Sequence, residues 1–216
     1  MDGINFGIID YGAGNLGNVK RALANLNISG EIIDSPQAVK NSRALILPGV
    51  GSFAGGMNGL RARNLIAPIK NAVTKGKPLL GICLGMQLLF AGSEEAPEHS
   101  GLNILPGSSH FFPADRVKKV PHMGWNKLEV KDHHYLAAGI NNPYFYFVHS
   151  YYIPWNETTK TFAAATCTYG ELNFVAALRW RNVTAIQPHP EKSGKTGLKF
   201  LQNYVEEVKH ESYTGG

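Results

Sequence analysis

Four short apolar runs, 5–10 (NFGIID), 30–34 (GEIID), 43–47 (RALIL) and 77–82 (KPLLGI), are separated by segments with helical spacing. Of these runs the fourth is nearly all apolar, as a strand buried on both faces should be. Their alternation with helices predicts right-handed βαβ units, hence a parallel sheet covered on both faces. In NVKRALANLN, Val19, Leu23 and Leu26 fall on one helical face. Residues 53–75 hold two helical segments, with Pro68 early in the second, where a proline is tolerated.

After Gly92 the rhythm changes. SEEAPEHSGLNILPGSS reads as loop, and short strands follow without helices between them, around 110–112, 126–130, 144–148, 161–167, 173–179 and 183–187. A last helix is expected over 193–208, and the polar tail HESYTGG should fray. The expected fold is α/β: a mostly parallel central sheet with helices on both faces and an antiparallel strand-rich extension, in one domain over 1–216.

The chemistry is narrowed by what is scarce. There are two cysteines, Cys83 and Cys167, too few for a disulfide framework, which points to a reducing, cytoplasmic setting. No run of about 18 apolar residues would span a membrane, and the N-terminus lacks a signal-peptide pattern. The net charge is +5, but the basic residues are scattered, and the densest cluster is Arg116, Lys118 and Lys119. Neither nucleic acid nor membrane is therefore an expected partner.

Cys83 stands between two glycines at a strand-to-helix joint, Gly81-Ile82-Cys83-Leu84-Gly85. This is the layout of a nucleophile elbow with a thiol in place of a hydroxyl. Side chains at 81 and 85 would collide where the chain turns to push residue 83 outward. The following helix would aim its N-terminus at the sulfur, and the Leu84 amide at an oxyanion. Cys167, in AAATCTYG, reads as a buried structural thiol.

A nucleophilic thiol needs a base, and the base an orienting group. Of eight histidines, His189 in AIQPHPEKS follows a β-branched run and precedes the last helix, so a parallel strand would deliver it beside the elbow. Glu191 can reach back to its ring, giving a Cys83–His189–Glu191 triad. His99 and His210 sit in polar loop or tail, and His133 and His134 in a charged turn. No H-E-x-x-H or C-x-x-C spacing points to a metal, and no cofactor is expected. A competing motif is GAGNLG, Gly12 to Gly17, which with Asp34 matches a dinucleotide fingerprint; the plainer reading is the tight glycine turn between strand and helix that any α/β fold needs.

Together, GICLGMQ and QPHPEKS resemble the nucleophile and His-x-Glu segments of the class I (triad) glutamine amidotransferases. LPGVGSF (47–53) resembles their oxyanion strand, which adds Val50 and Gly51 to Leu84 as oxyanion residues. IIDYGAGNL, PHMGWN and YFYFVHSYY narrow the likeness to the glutaminase subunits of imidazole glycerol phosphate synthase, over residues 6 to about 208. The resemblance implies hydrolysis of glutamine and delivery of ammonia to a (β/α)₈ cyclase subunit of a heterodimer in histidine biosynthesis. It implies Gln87, His149, Ser150 and Tyr151 as lining the glutamine pocket. It turns GAGNLG toward the partner, with Asn15, His122, Met123, Trp125 and Lys192 near the interface. Pro188 departs from the family, where an aromatic more often precedes the histidine. Two other readings stay open: a paralogous amidotransferase feeding a different synthase, and a dinucleotide-binding protein.

Overall fold

The structure, a computed structural model, describes residues 5–131 and 135–210; His133 and His134 of the expected charged turn lie outside the described residues, as does most of the tail. The parallel core consists of β1 (Phe6–Ile9), β2 (Gly30–Ile33), β3 (Ala44–Leu47) and β4 (Leu79–Ile82), joined later in the chain by β13 (Val183–Ile186). Their order is β2-β1-β3-β4-β13, with all four neighbouring pairs parallel. Strands β1, β3, β4 and β13 are buried at every residue, as their apolar runs require.

Two hydrophobic clusters cover the two faces. Helices α1 (Leu16–Ala24) and α6 (Gly194–His210) pack Val19, Leu23, Phe200 and Leu201 against Phe6, Ile8, Ile46 and Leu80. On the other face α2 (Pro36–Asn41), α3 (Phe53–Ala62) and α4 (Ile66–Thr74) bring Val39, Met57, Leu60 and Ile69 to Ile9, Leu45, Leu47 and Leu79. Side chains of alternate strand residues go to opposite clusters, as the period of two demands.

Beyond β13 the sheet continues antiparallel through β12 (Leu172–Trp180) and β10 (Tyr151–Pro154) to β6 (Ser108–Phe111), which ends in a short parallel pairing with β5 (Gly92–Ser93). Strand β11 (Ala163–Tyr169) also pairs with β12 and carries β8 (Glu129–Val130). A separate two-stranded ribbon joins β7 (His122–Lys127) to β9 (Tyr144–His149).

The expected α/β class and antiparallel extension are thus present. Two of the elements differ plainly from the sequence reading. Helix α2 fills the gap left between the second and third strands, started by Ser35 Oγ accepting from Ala38 N with Pro36 in its first turn. Strand β10 follows β9 after a single residue, so one apolar-aromatic run becomes two strands in different sheets. Helix α5 (Leu84–Leu88), the helix expected after Cys83, spans only five residues, so its dipole is small.

Candidate active site

The site forms where the carboxyl ends of β4 and β13 lie side by side. Their register pairs Ile82 with Ile186, and Cys83 N donates to Ile186 O at 2.8 Å. Both chains then leave the sheet, β4 into Cys83 and β13 into Gln187, Pro188 and His189. This is the edge of a parallel sheet at which open α/β folds gather functional groups.

Cys83 adopts φ +54°, ψ −111°, a left-handed backbone that a non-glycine residue rarely takes. That turn is sustained by close packing of its neighbours. A side chain at Gly85 would bring Cβ within 1.8 Å of Leu47 O, and one at Gly49 within 2.1 Å of the Tyr11 hydroxyl. The elbow, the end of β3 and the turn 48–51 are therefore in backbone contact. Tyr11 fixes the turn by donating its hydroxyl to Pro48 O at 2.7 Å. Burial, and then the nearby Cys83 sulfur, push its phenol above the usual range, so the donor stays protonated. Gly51 sits at φ +102° with nothing within 4 Å of where its Cβ would be.

His189 and Glu191 are joined at 2.7 Å, Nδ1 to Oε1, with both side chains 2% exposed. Burial alone would lower the imidazole. The Cys83 sulfur and the Glu191 carboxylate outweigh it and raise the ring to about 10. His189 Nε2 makes no hydrogen bond among the described residues, which leaves it for the sulfur and its substrate. Pro188 does not displace the ring: His189 N is held by Tyr146 O at 2.9 Å, and Ser193 Oγ donates to His189 O at 2.6 Å.

A cleft of about 450 Å³ opens over the sulfur, lined by Val50, Gly51, Cys83, Leu84, Gln87, Glu95, Pro121, Val148, His149, Ser150, Tyr151 and Lys192. All three expected oxyanion residues and all four expected pocket residues lie on it, and Lys192 reaches its rim. Glu95 escaped the sequence reading because it sits in a loop without a motif. Its Oε2 accepts from Phe53 N at 2.8 Å, so the α3 N-terminus holds a carboxylate at the cleft wall, suited to an ammonium group.

Two histidines shape the opposite wall. His149 Nδ1 donates to Tyr151 O at 2.8 Å, so its Nε2 accepts from His122 Nδ1 at 3.1 Å. Burial depresses both rings, His122 to about 4 and His149, with the charge of His122 adding to burial, to about 3. They are neutral hydrogen-bonding parts. The sequence reading put His122 near a docking face, but its ring is 3% exposed and stacked between Phe147 and Tyr169. The alternation of β7 instead turns Met123 and Trp125 outward, 59% and 58% exposed. Opposite them on β9 stand Val148 and Tyr146, so this apolar face runs directly into the cleft that Val148 lines.

The loop GAGNLG lies against the same turn. Gly14 packs 3.6 Å from Gly49 Cα and Pro48 O, measured from its would-be Cβ. Asn15 caps α1 through Asn18 N and is exposed, while Asp34 follows the carboxyl end of β2, on the same edge of the parallel sheet as the loop, and is exposed to solvent. Among the described residues no group of three His, Cys, Asp or Glu side chains is placed to hold a metal ion. No helix of the described residues is long and apolar enough to cross a membrane.

Comparison with known proteins gives a consistent result. The family model "Glutamine amidotransferase class-I" matches residues 7–208. The chain is 45% identical over 210 residues to imidazole glycerol phosphate synthase subunit HisH of Moorella thermoacetica, covering 96% of this chain and 97% of that one. It is 42% identical over 209 residues to the protein of the same name from Gloeothece citriformis, covering 94% and 95%. Among solved structures, one titled as a glutamine amidotransferase superposes with a TM-score of 0.74 at 20% identity, covering 96% of this chain and all of that one. A second, PurLQS from Thermotoga maritima, gives 0.70 at 17%, covering 94% and 98%. At such identities the structural likeness speaks for the fold.

Proposed function

Since the chain belongs to the class I glutamine amidotransferase family, we infer that it is the glutaminase subunit of an imidazole glycerol phosphate synthase. The observation that carries the mechanism is geometric: His189, held by Glu191 at 2.7 Å with its Nε2 unpaired, leaves the sheet on the strand beside the one that ends in Cys83. Glutamine occupies the cleft with its side-chain amide over the sulfur and its α-ammonium toward Glu95. The Cys83 thiol proton passes to His189 Nε2, and the sulfur attacks the amide carbon. Amide donors at Leu84 and in the turn at Val50–Gly51 receive the charge that develops on the carbonyl oxygen; one such donor is worth about 3 kcal/mol. The C–N bond breaks as His189 returns the proton to nitrogen, which releases ammonia and leaves a γ-glutamyl thioester. Water, deprotonated by His189, attacks the thioester, the C–S bond breaks, and glutamate leaves with the thiol restored.

Ammonia is volatile and reactive, so a partner should take it at source. The exposed Met123–Trp125 face, contiguous with the cleft, is where we dock the cyclase subunit, with Asn15 and Lys192 beside it. The pair works in the cytoplasm, where Cys83 stays reduced. The Pro48–Gly51 turn is a natural point of control, because glycine lets a peptide unit rotate at little cost.

The test is glutamine hydrolysis by the chain alone, with cyclase, and with cyclase carrying its phosphorylated ribulosyl ligand. A stepwise rise is expected. Equal rates in all three would reject the coupling, and a chain that hydrolyses no glutamine in any of them would reject the activity itself. A cofactor titration with no change in protein fluorescence is the expected result for the dinucleotide reading of GAGNLG.

A further inference from the structure

We propose that Gln187 is a further catalytic residue of this glutaminase: its side-chain amide donates a hydrogen bond to the Cys83 sulfur and is locked in that orientation by Gln87. The proposal rests on the reading of Cys83 as the nucleophile.

Gln187 follows the last residue of β13 and is wholly buried. Its Nε2 lies 3.7 Å from Cys83 Sγ, within hydrogen-bonding reach of a sulfur. An amide can be turned end for end without much change of shape, so the direction of this bond has to be fixed by its partners. Here it is fixed by a group that cannot be reversed. Tyr151 O is a backbone carbonyl and can only accept, and it lies 2.9 Å from Gln87 Nε2. The NH₂ end of Gln87 therefore faces Tyr151. The same NH₂ group lies 3.1 Å from Gln187 Oε1, so its second hydrogen goes there. With its oxygen committed to Gln87, Gln187 has only its N–H groups to present to the sulfur. His149 Nδ1 shares Tyr151 O from the other side and holds that carbonyl in place.

The arrangement changes the meaning of Gln87. Both of its amide hydrogens are used inside the protein, so only Oε1 remains for a substrate. Gln87 is one helical turn after Cys83, and Gln187 is two residues before His189, the spacing that puts alternate side chains of an extended segment on one side. The nucleophile and the base each have a glutamine in step with them, and the two glutamines are bonded to each other.

Chemically, an N–H pointed at sulfur favours the charged thiolate over the thiol. It complements His189, which takes the proton, by stabilising what the proton leaves behind. It acts again when the thioester is hydrolysed and the sulfur departs with the bonding electrons. During attack the sulfur loses charge and the bond weakens, so the gain is in the population of thiolate and in its release.

The experiment replaces Gln187 with Met, which keeps the length of the side chain but has no donor, in the full chain complexed with its cyclase. Two readings are taken: the pH dependence of Cys83 alkylation by iodoacetamide, resolved by peptide mapping, and kcat/KM for glutamine. The midpoint of alkylation should move up by about one pH unit, and kcat/KM should fall about 10- to 100-fold, the worth of a hydrogen bond to a charged group. Ammonium-dependent synthesis by the same complex should be unchanged, which shows that the variant is folded and assembled. If Gln187→Met does not accumulate as folded protein, Gln187→Asn serves, since it keeps an amide for Gln87 but withdraws it from the sulfur; the same shift is expected. An unchanged alkylation midpoint in either folded variant, or a kcat/KM within twofold of the parent, overturns the proposal. Cys83→Ala, run beside it, separates the two levels. If it still hydrolyses glutamine, the nucleophile assignment has failed; if it is inactive while Gln187→Met behaves as the parent, only the role of Gln187 has failed.

Discussion

The two thiols of the chain are both buried, Cys83 5% and Cys167 0% exposed, but their surroundings are opposite. Cys167 sits in the middle of β11 in regular extended backbone, opposite Phe174 of β12. Burial, and then the charge of Glu129, push its thiol up to about 12. Its sulfur donates to the carbonyl of the next residue, Thr168 O at 3.8 Å, and takes no part in the cleft over Cys83. Cys83 stands just past the end of its strand, in a left-handed turn, over an open cleft and beside a histidine whose ring is raised by that same sulfur. Burial by itself makes a thiol inert. Reactivity is built by the backbone turn that lifts the sulfur out of the sheet and by a buried partner that accepts its proton.

The largest expected effect contrasts the two residues directly. Cys83→Ala should lower glutamine-dependent turnover on the order of a hundred-thousandfold, as loss of a nucleophile does, while ammonium-dependent synthesis by the complex persists. Cys167→Ala should leave kcat/KM within about twofold and cost about 1 kcal/mol of stability, measured by urea unfolding.

Next in size are the groups around the reactive thiol. His189→Ala should cost about 10³- to 10⁴-fold in kcat, and Glu191→Gln about 10²-fold, since the latter leaves a base and removes only its orientation. Steady-state kinetics with glutamine would check the order; an equal or larger loss for Glu191→Gln would contradict the division of labour. Gly51→Ala meets no neighbour but forces a side chain to φ +102°. It should reduce kcat about 10²-fold through the oxyanion turn and cost about 1–3 kcal/mol in backbone strain.

These contrasts also show what the sequence could and could not display. The grouping of Cys83, His189 and Glu191 was legible because it is written in local spacing: glycines two residues to each side of Cys83, and His-x-Glu after an apolar run. The parallel half of the fold was legible because β1, β3 and β4, buried at every residue, hold no polar side chain. Helix α2 was not, since six residues with one buried side chain, Val39, carry almost no periodicity. The burial of His122 was not, because alternation along β7 shows that two faces exist but not which one meets the core. Glu95 and the pairing of Gln87 with Gln187 depend on contacts between residues 42 and 100 positions apart, which no local pattern encodes.

The smallest effect is thermodynamic and belongs to the inert thiol. Burial raises the Cys167 thiol from its ordinary 9.0 to about 12 on folding. Its raised value means that the folded state keeps the proton longer than the unfolded one. That contribution is fully present below pH 9 and is lost as pH rises through 12. Stability of the parent should therefore fall over this interval more steeply than that of Cys167→Ala, followed by urea midpoints at each pH. Parallel curves would mean that burial does not perturb this thiol.

The central claim is that Cys83 is the glutaminase nucleophile, and covalent mapping tests it most directly. The complex is treated with a glutamine-shaped diazo-ketone, digested, and its peptides are weighed. The account predicts one label, on Cys83, protection by glutamine, loss of glutamine-dependent turnover in step with labelling, and intact ammonium-dependent synthesis. A label on Cys167 instead, or full glutaminase activity in protein labelled at Cys83, would contradict it.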